Sequence, residues 1–427
     1  CALTILRLQR IQVTEKLYID LALLSKLHDS RPVLYQELLK ALRKIPTLSL
    51  ITGHYAYKEK VLDLGIWDKV SELKIVQSIT MNYDLLRIIS EHPQVLENLN
   101  SLEIQTDRVK SIENDGLKNL NSLHRLTYLK LKVIIRVRTY DLVSFLNSLR
   151  FPERIKSLSL ELNVAGEQAD DALSPSKETF GNSLPQYKEV KTFCFALRAQ
   201  KLTETYYKIF TNVVKNLPLS VENVTLQNSG NYITETIFKD DTVFSSLQQY
   251  TSLRKLKLSS NLVHYENNFE KGVLFNKLES LALHLRNYPT KFLDKVGRSL
   301  KSLDLAVTIS EEKKLETLMD IFEGIRGMSN LRTVTFGCHV QDSEEMINLG
   351  NDFLKGVYKI LVDLKLLNSM SLRLYGWYIS KEELQILMNM ANYKRSLREF
   401  YFTCGEAYCT KRTPLDIVRE YDDDHDE

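Results

Sequence analysis

One short pattern returns thirteen times along this chain: an apolar residue, two variable positions, a second apolar residue, one variable position and a third apolar residue. It runs through Ile45–Leu48–Leu50, Val70–Leu73–Ile75, Leu99–Leu102–Ile104, Leu126–Leu129–Leu131, Ile155–Leu158–Leu160, Val190–Phe193–Phe195 and Val221–Val224–Leu226. It continues through Leu253–Leu256–Leu258, Leu278–Leu281–Leu283, Leu300–Leu303–Leu305, Leu331–Val334–Phe336, Leu367–Met370–Leu372 and Leu397–Phe400–Phe402. Leu3–Leu6–Leu8 is a candidate further copy. The middle residues recur roughly every 30 positions, and such repetition means one supersecondary unit stacked many times.

Strand geometry explains the cassette. Alternate side chains of a strand share a face, so the second and third apolar residues bury together while the residue between them points outward. The first apolar residue packs where the chain enters the strand. One such strand cannot bury its apolar side alone, so neighbours must stack side by side into a parallel sheet.

Between cassettes the apolar period becomes helical, over 33–46, 83–99, 203–218, 311–325, 344–368 and 381–397. Ser310, Ser343 and Ser380 stand where they would cap the helices that follow, and Pro46, Pro93 and Pro218 close or interrupt others. The expected fold is therefore an α/β solenoid. It should curve, with parallel strands on the concave face and helices on the convex face. The expected boundaries are a helical amino-terminal segment 1–44, the repeats 45–404 and a carboxy-terminal tail 405–427 ending in the acidic run EYDDDHDE. A polar, turn-rich stretch near 165–188 interrupts the repeats, as an insertion loop or a functional lip.

From about Ile45 to Phe402 the pattern resembles the leucine-rich-repeat superfamily. In that family an Asn or Cys stands three places after the third apolar residue and bonds neighbouring turns. Here Asn163 and Asn261 hold that place, while Asp107, Arg286, Thr308, His339 and Gly405 hold it elsewhere. Irregular turns follow from that departure. The unequal repeats and long helical returns look like the substrate-binding region of fungal F-box/leucine-rich-repeat proteins. The resemblance implies an upstream F-box that docks a Skp-type adaptor and a cullin. The family's Leu-Pro opening is absent, but the chain begins at Cys1 rather than Met, as expected of a fragment whose natural start lies upstream. Segment 9–44 would then connect an F-box to the repeats, or simply cap the stack.

A net charge of +3 gives no strong field for nucleic acid or a membrane, and no apolar stretch approaches the roughly 20 residues of a spanning helix. Five dispersed cysteines without paired spacing fit reduced thiols in an intracellular protein. Cys404 and Cys409, with His425 downstream, make only one loose pair of metal ligands, and zinc sites want four. Cys194 should face outward from the sheet. No phosphate loop, GxSxG elbow or HExxH occurs, so neither a catalytic site nor a cofactor is expected.

The outward positions carry a mixed, mostly small set of side chains without a continuous basic or aromatic stripe, which a protein partner tolerates better than a nucleic acid. Lys130 and Lys132, with Arg136 and Arg138 behind, form a basic spot; Lys257 and His284 stand on later repeats. Toward the carboxyl end Arg373, Tyr375, Trp377, Tyr378, Arg398 and Tyr401 bring together the residue types that dominate interface hot spots. Trp377 and Tyr378 would alternatively cap the end of the stack. The expected function is a non-enzymatic protein-recognition scaffold, most concretely the substrate-binding part of an F-box-type ubiquitin-ligase receptor. The alternative is an intracellular repeat adaptor with no ubiquitin role.

Overall fold

Every cassette lies on a strand. A computed structural model describes residues 17–45, 48–52, 66–77, 96–107, 122–136, 145–146, 148–165, 184–199, 204–229, 246–258, 275–285, 288, 291–296, 298–309, 314–340, 346–405, 407–412 and 415–419. They fall into an amino-terminal unit, Cys1–Val221 with Ser229–Tyr232, and a carboxy-terminal unit, Glu222–Asn228 with Ile233–Glu427. Candidate cap residues Ser310 and Ser343, most of the predicted helix 83–99, most of the polar stretch 165–188, the copy at Leu3–Leu6–Leu8 and the acidic run 420–427 lie outside the described residues.

The amino-terminal unit carries strands β1 (Leu17–Asp20), β2 (Leu48–Thr52), β3 (Val70–Gln77), β4 (Ser101–Thr106), β5 (Tyr128–Arg136), β6 (Ser157–Ala165) and β7 (Thr192–Ala199), each parallel to the next. From β3 onward the register is the one the cassette dictates: Leu73 opposes Leu102, Leu102 opposes Leu129, Leu129 opposes Leu158 and Leu158 opposes Phe193. All five are essentially buried. Cassette alignment would set Leu48 opposite Leu73, but Leu50 takes that place because β3 is irregular between Val70 and Glu72. The slip amounts to two residues and so keeps Leu48 and Leu50 on the buried face.

The predicted helical segment 1–44 is mixed. Its described part opens with strand β1 and continues through helices α1 (Leu21–Ser30) and α2 (Pro32–Leu42). Pro32 suits the start of α2, where its missing N–H is not needed. Helix α3 (Glu204–Lys215) follows β7 and packs Phe210 edge-on against Phe195, 4.9 Å between ring centres.

The carboxy-terminal unit carries strands β8 (Asn223–Ser229), β9 (Lys255–Leu258), β10 (Ser280–Leu285), β11 (Ser302–Ile309), β12 (Thr333–Val340), β14 (Ser369–Tyr375) and β16 (Glu399–Cys404), again in parallel order. A two-residue strand β13 (Ile347–Asn348) pairs with β15 (Trp377–Tyr378) apart from that sheet. Helices α4 (Phe292–Lys295), α5 (Lys314–Arg326), α6 (Gly350–Asp363) and α7 (Lys381–Tyr393) cover one face. Phe322 of α5 meets Phe336 of β12 and Phe353 of α6, and Phe353 meets Phe402 of β16, with ring centres 5.7–5.9 Å apart. Two glycines allow this approach. A Cβ on Gly356 would lie 2.6 Å from Phe322, and one on Gly324 would lie 2.6 Å from Leu293.

The sequence expectations fare unevenly here. Ser380 caps α7 as predicted, in a reciprocal box: Glu383 N–H donates to Ser380 Oγ at 3.2 Å and Ser380 N–H to Glu383 Oε2 at 2.9 Å. The single helix expected over 344–368 is instead a short strand followed by α6. Gly350 has φ +63°, which no continuing helix adopts, and Ile347 and Asn348 are already paired to Trp377 and Tyr378. The tail expected from 405 begins as structure, with β17 (Ala407–Arg412) antiparallel to β16 and β18 (Leu415–Arg419) antiparallel to β17. Gly405, at φ +59°, starts the reversal. Cys409 buries itself opposite Phe402, and Lys411 Nζ donates to the carbonyls of Ala391 and Lys394 at 2.9 and 3.4 Å, serving the carboxyl end of α7.

Candidate recognition surface

In each unit the outward residues of the cassettes stand on the sheet face opposite the buried apolar residues. In the amino-terminal unit two lysines of this face meet carboxylates across strands. Lys74 Nζ lies 3.0 Å from Glu103, and Lys130 Nζ 2.7 Å from Glu161. Partial burial opposes the charged form of Lys130, but the hydrogen bond and charge of Glu161, with Glu103 behind, overcome it and raise the pKa. Lys132 stands in register between Gln105 and Glu161, half-exposed. Of the predicted basic spot, Lys130 is thus neutralised across strands, while the Arg136 side chain and Arg138 lie outside the described residues. Cys194 stands on this face as expected, opposite Ser159. Asn163 lies within β6, between Ile134 and Arg198, because the strand runs on past the predicted turn position.

The outward face of the carboxy-terminal unit is different. Lys257 projects from β9 and His284 from β10, both exposed. Although the His284 ring reaches solvent, the side chains crowding it hold its pKa below the ordinary histidine value, with Asp304 opposing. Arg373 of β14 sits over the Tyr401 ring of β16 at 5.9 Å, and Tyr375 follows on β14, half exposed. The fold brings these three together as the sequence predicts. It does not bring Trp377 to them. Trp377 is fully buried, because Gly376 at φ +83° turns the chain and β15 then pairs with β13. Its indole N–H faces the Cys338 sulfur without a full hydrogen bond, while burial pushes that thiol up to about 12. Trp377 is therefore a core residue and not a contact residue. Tyr378 beside it is exposed and accepts a 2.8 Å hydrogen bond from Asn348.

Arg398 is set apart from Arg373 and Tyr401, on the edge where the strands begin. Backbone bonds there run from one repeat to the next: Arg254 N–H to Glu222, Glu279 to Arg254, Lys301 to Glu279, Arg332 to Lys301, Asn368 to Arg332 and Arg398 to Asn368. This leading edge occupies the first variable position of each cassette, outside the outward-facing alternation. On it lies a cleft of about 450 Å³ lined by Arg254, Lys277, Glu279, Lys301, Arg332 and Leu366, with Asn276, Ser299 and Asn330. Glu279 is 3.0 Å from Lys301 and 3.6 Å from Arg254, and the hydrogen bond from Lys301 holds its carboxyl below the usual range. A second feature missed in the sequence is an apolar groove of about 400 Å³ between α6 and α7, bordered by Tyr358, Val362, Ile386 and Tyr393. Its signal was there, in apolar residues lying off the buried stripe of each helix.

Cys404 and Cys409 are buried and their thiols are pushed up to about 12 by desolvation, which disfavours the thiolate a metal would need. Among the described residues no group of three or more His, Cys, Asp and Glu converges. Among them, too, no helix is long and apolar enough to cross a membrane.

No protein-family model matches this sequence, and no curated protein matches it. Solved structures similar to it include CroV588, a circular leucine-rich-repeat protein, at 15% identity over 83% of this chain and 46% of that one, with a TM-score of 0.34. A Bacteroides fragilis protein is similar at 12% identity, covering 79% of this chain and 75% of its own, with a TM-score of 0.34. The leucine-rich-repeat protein LegL7 of Legionella pneumophila is similar at 13% identity, covering 80% and 85%, with a TM-score of 0.32. The chain spans less than half the length of CroV588.

Proposed function

We propose that this chain is a non-enzymatic scaffold for protein recognition. More specifically, we read it as the intracellular substrate-binding region of an F-box-type ubiquitin-ligase receptor. The observation that carries the scaffold reading is the exposed Arg373–Tyr401 pair with Tyr375 beside it, held on strands whose inward residues Met370, Leu372, Phe400 and Phe402 are buried. Rigid presentation of Arg and Tyr is what a protein interface uses for its strongest contacts. Side chains fixed by a packed sheet also lose little entropy on binding. The receptor reading rests on the irregular repeats and long helical returns in the sequence. In that reading the Skp-type adaptor and cullin bind an upstream module, and the ligase chemistry belongs to other subunits.

The test is purification of the full-length native protein with identification of co-purifying proteins by mass spectrometry. Recovery of a Skp-type adaptor and a cullin, lost when residues upstream of this chain are removed, is the expected result. Their absence, with a different partner retained by residues 1–427 alone, would leave a repeat adaptor with no ubiquitin role.

A further inference from the structure

We infer that the leading edge of the carboxy-terminal unit binds an acidic segment of a protein partner, seated in the cleft at Arg254, Lys277, Lys301 and Arg332. This inference rests on the scaffold reading and adds to it a surface and a partner chemistry. Three observations meet at this edge. First, two of the four cations lining the cleft are unspent: Arg254 and Lys301 share Glu279, while Lys277 and Arg332 have no ion-pair partner among the described residues. Among them Lys255, Arg298, Lys365 and Arg395 also have none, whereas Lys74, Lys130, Arg326 and Lys359 elsewhere each meet a carboxylate. Second, Lys277 and Arg332 line one open cleft together with Arg254 and Lys301. Third, the repeat spacing arrays them. Adjacent strands lie about 4.8 Å apart, so Arg254 to Arg332 spans about 15 Å, the length of four or five extended residues.

A peptide fits this edge better than a nucleic acid does. Glu279 sits between Arg254 and Lys301, where it would repel a continuous phosphodiester chain, while a peptide can place a neutral residue opposite it. Leu366, half exposed in the same cleft, offers an apolar contact that a phosphate backbone would waste. The residues lining the cleft include no aromatic on which a base could stack. The ligand chemistry is clustered anionic oxygen interrupted by an aliphatic side chain. Asp and Glu side chains of the partner supply it.

The experiment uses the full chain and fluorescence anisotropy with four probes. These are an Asp/Glu-rich peptide with a central Leu, its phosphoserine version, its Asn/Gln version and a single-stranded oligonucleotide of equal charge. The Asp/Glu peptide should bind and weaken with added salt, and the Asn/Gln peptide should not bind; binding of the phosphoserine version alone would overturn the Asp/Glu assignment. The double variant Lys277→Glu, Arg332→Glu should weaken binding at least about tenfold, since two attractions become repulsions. Lys355→Glu, whose lysine is paired with Asp352 on α6, should leave it unchanged. A thermal melt of each variant confirms that it folds. Unchanged peptide binding in the double variant would overturn the inference, as would tighter binding of the oligonucleotide at the same residues. If the double variant still captures the native protein partner, the edge assignment fails while the scaffold reading stands; absence of any protein partner sinks the scaffold reading itself.

Discussion

The two units are built from one cassette, and two of their surfaces differ in how the cations on them are partnered. On the outward face of the amino-terminal unit, lysines and glutamates alternate across strands and close on one another, as in Lys74–Glu103 and Lys130–Glu161. In the carboxy-terminal unit, Arg373 is held by an aromatic ring instead of a carboxylate, and Lys277 and Arg332 on the leading edge have no ion-pair partner among the described residues. A repeat framework fixes where side chains stand but not whether neighbours neutralise them. Paired cations are already spent on the protein itself, and unpaired ones remain available to another molecule.

Substitutions sharpen this contrast, beginning with the framework that presents the second surface. Phe322→Ala should cost about 3–5 kcal/mol in denaturant unfolding, because Phe322 links β12 to α6 and its loss leaves a cavity between Phe336 and Phe353. Gly356→Val should cost about 1–3 kcal/mol in the same measurement, since its Cβ alone would collide with the Phe322 ring. A double-mutant cycle on Lys130 and Glu161, a part-buried pair, should return a coupling at or above the roughly 0.2–1 kcal/mol of exposed pairs. A coupling near zero would break the claim that Lys130 is neutralised across strands. Arg373→Ala and Tyr401→Ala should each change stability by no more than about 0.5 kcal/mol while weakening partner capture. A stability loss as large as that at Phe322 would make the pair structural.

The smallest expected effect is a pH effect at His284. Its folded pKa is depressed, so the folded state binds its proton less readily than the unfolded chain. Stability associated with this group is therefore fully present above the unfolded value near 6.5 and is lost as pH falls through the folded value. An NMR titration should place the His284 midpoint below that of a histidine in a model peptide. A midpoint above it would mean that Asp304 outweighs desolvation.

Much of this architecture was legible because the cassette is local. Alternation set the faces of β3 to β12, and the predicted apolar pairs such as Leu281 with Leu303 oppose one another. What escaped depends on contacts or backbone geometry that spacing does not encode. The slip at β2 arises from one irregular place in β3. The break ahead of α6 needs Gly350 in the left-handed region and a partner strand some thirty residues away in sequence. The hairpin of β17 and β18 hid in a short alternation, Ala407 and Cys409, beside an acidic run. At the candidate surface, Arg373, Tyr375 and Tyr401 were readable from alternation alone, whereas Trp377 was misplaced because Gly376 redirects the chain. The leading edge follows a different rule: Arg254, Lys301 and Arg332 occupy the first variable position of the cassette and Lys277 precedes it, all outside the outward-facing alternation.

The most direct test of the contrast between the units is lysine cross-linking of the full-length protein with its co-purified partner, read by mass spectrometry. Cross-links to the partner concentrated on Lys255, Lys277 and Lys365, with few on Lys74 and Lys130, are the predicted result. Cross-links concentrated on Lys74 and Lys130 would contradict the account and place recognition on lysines that are already paired.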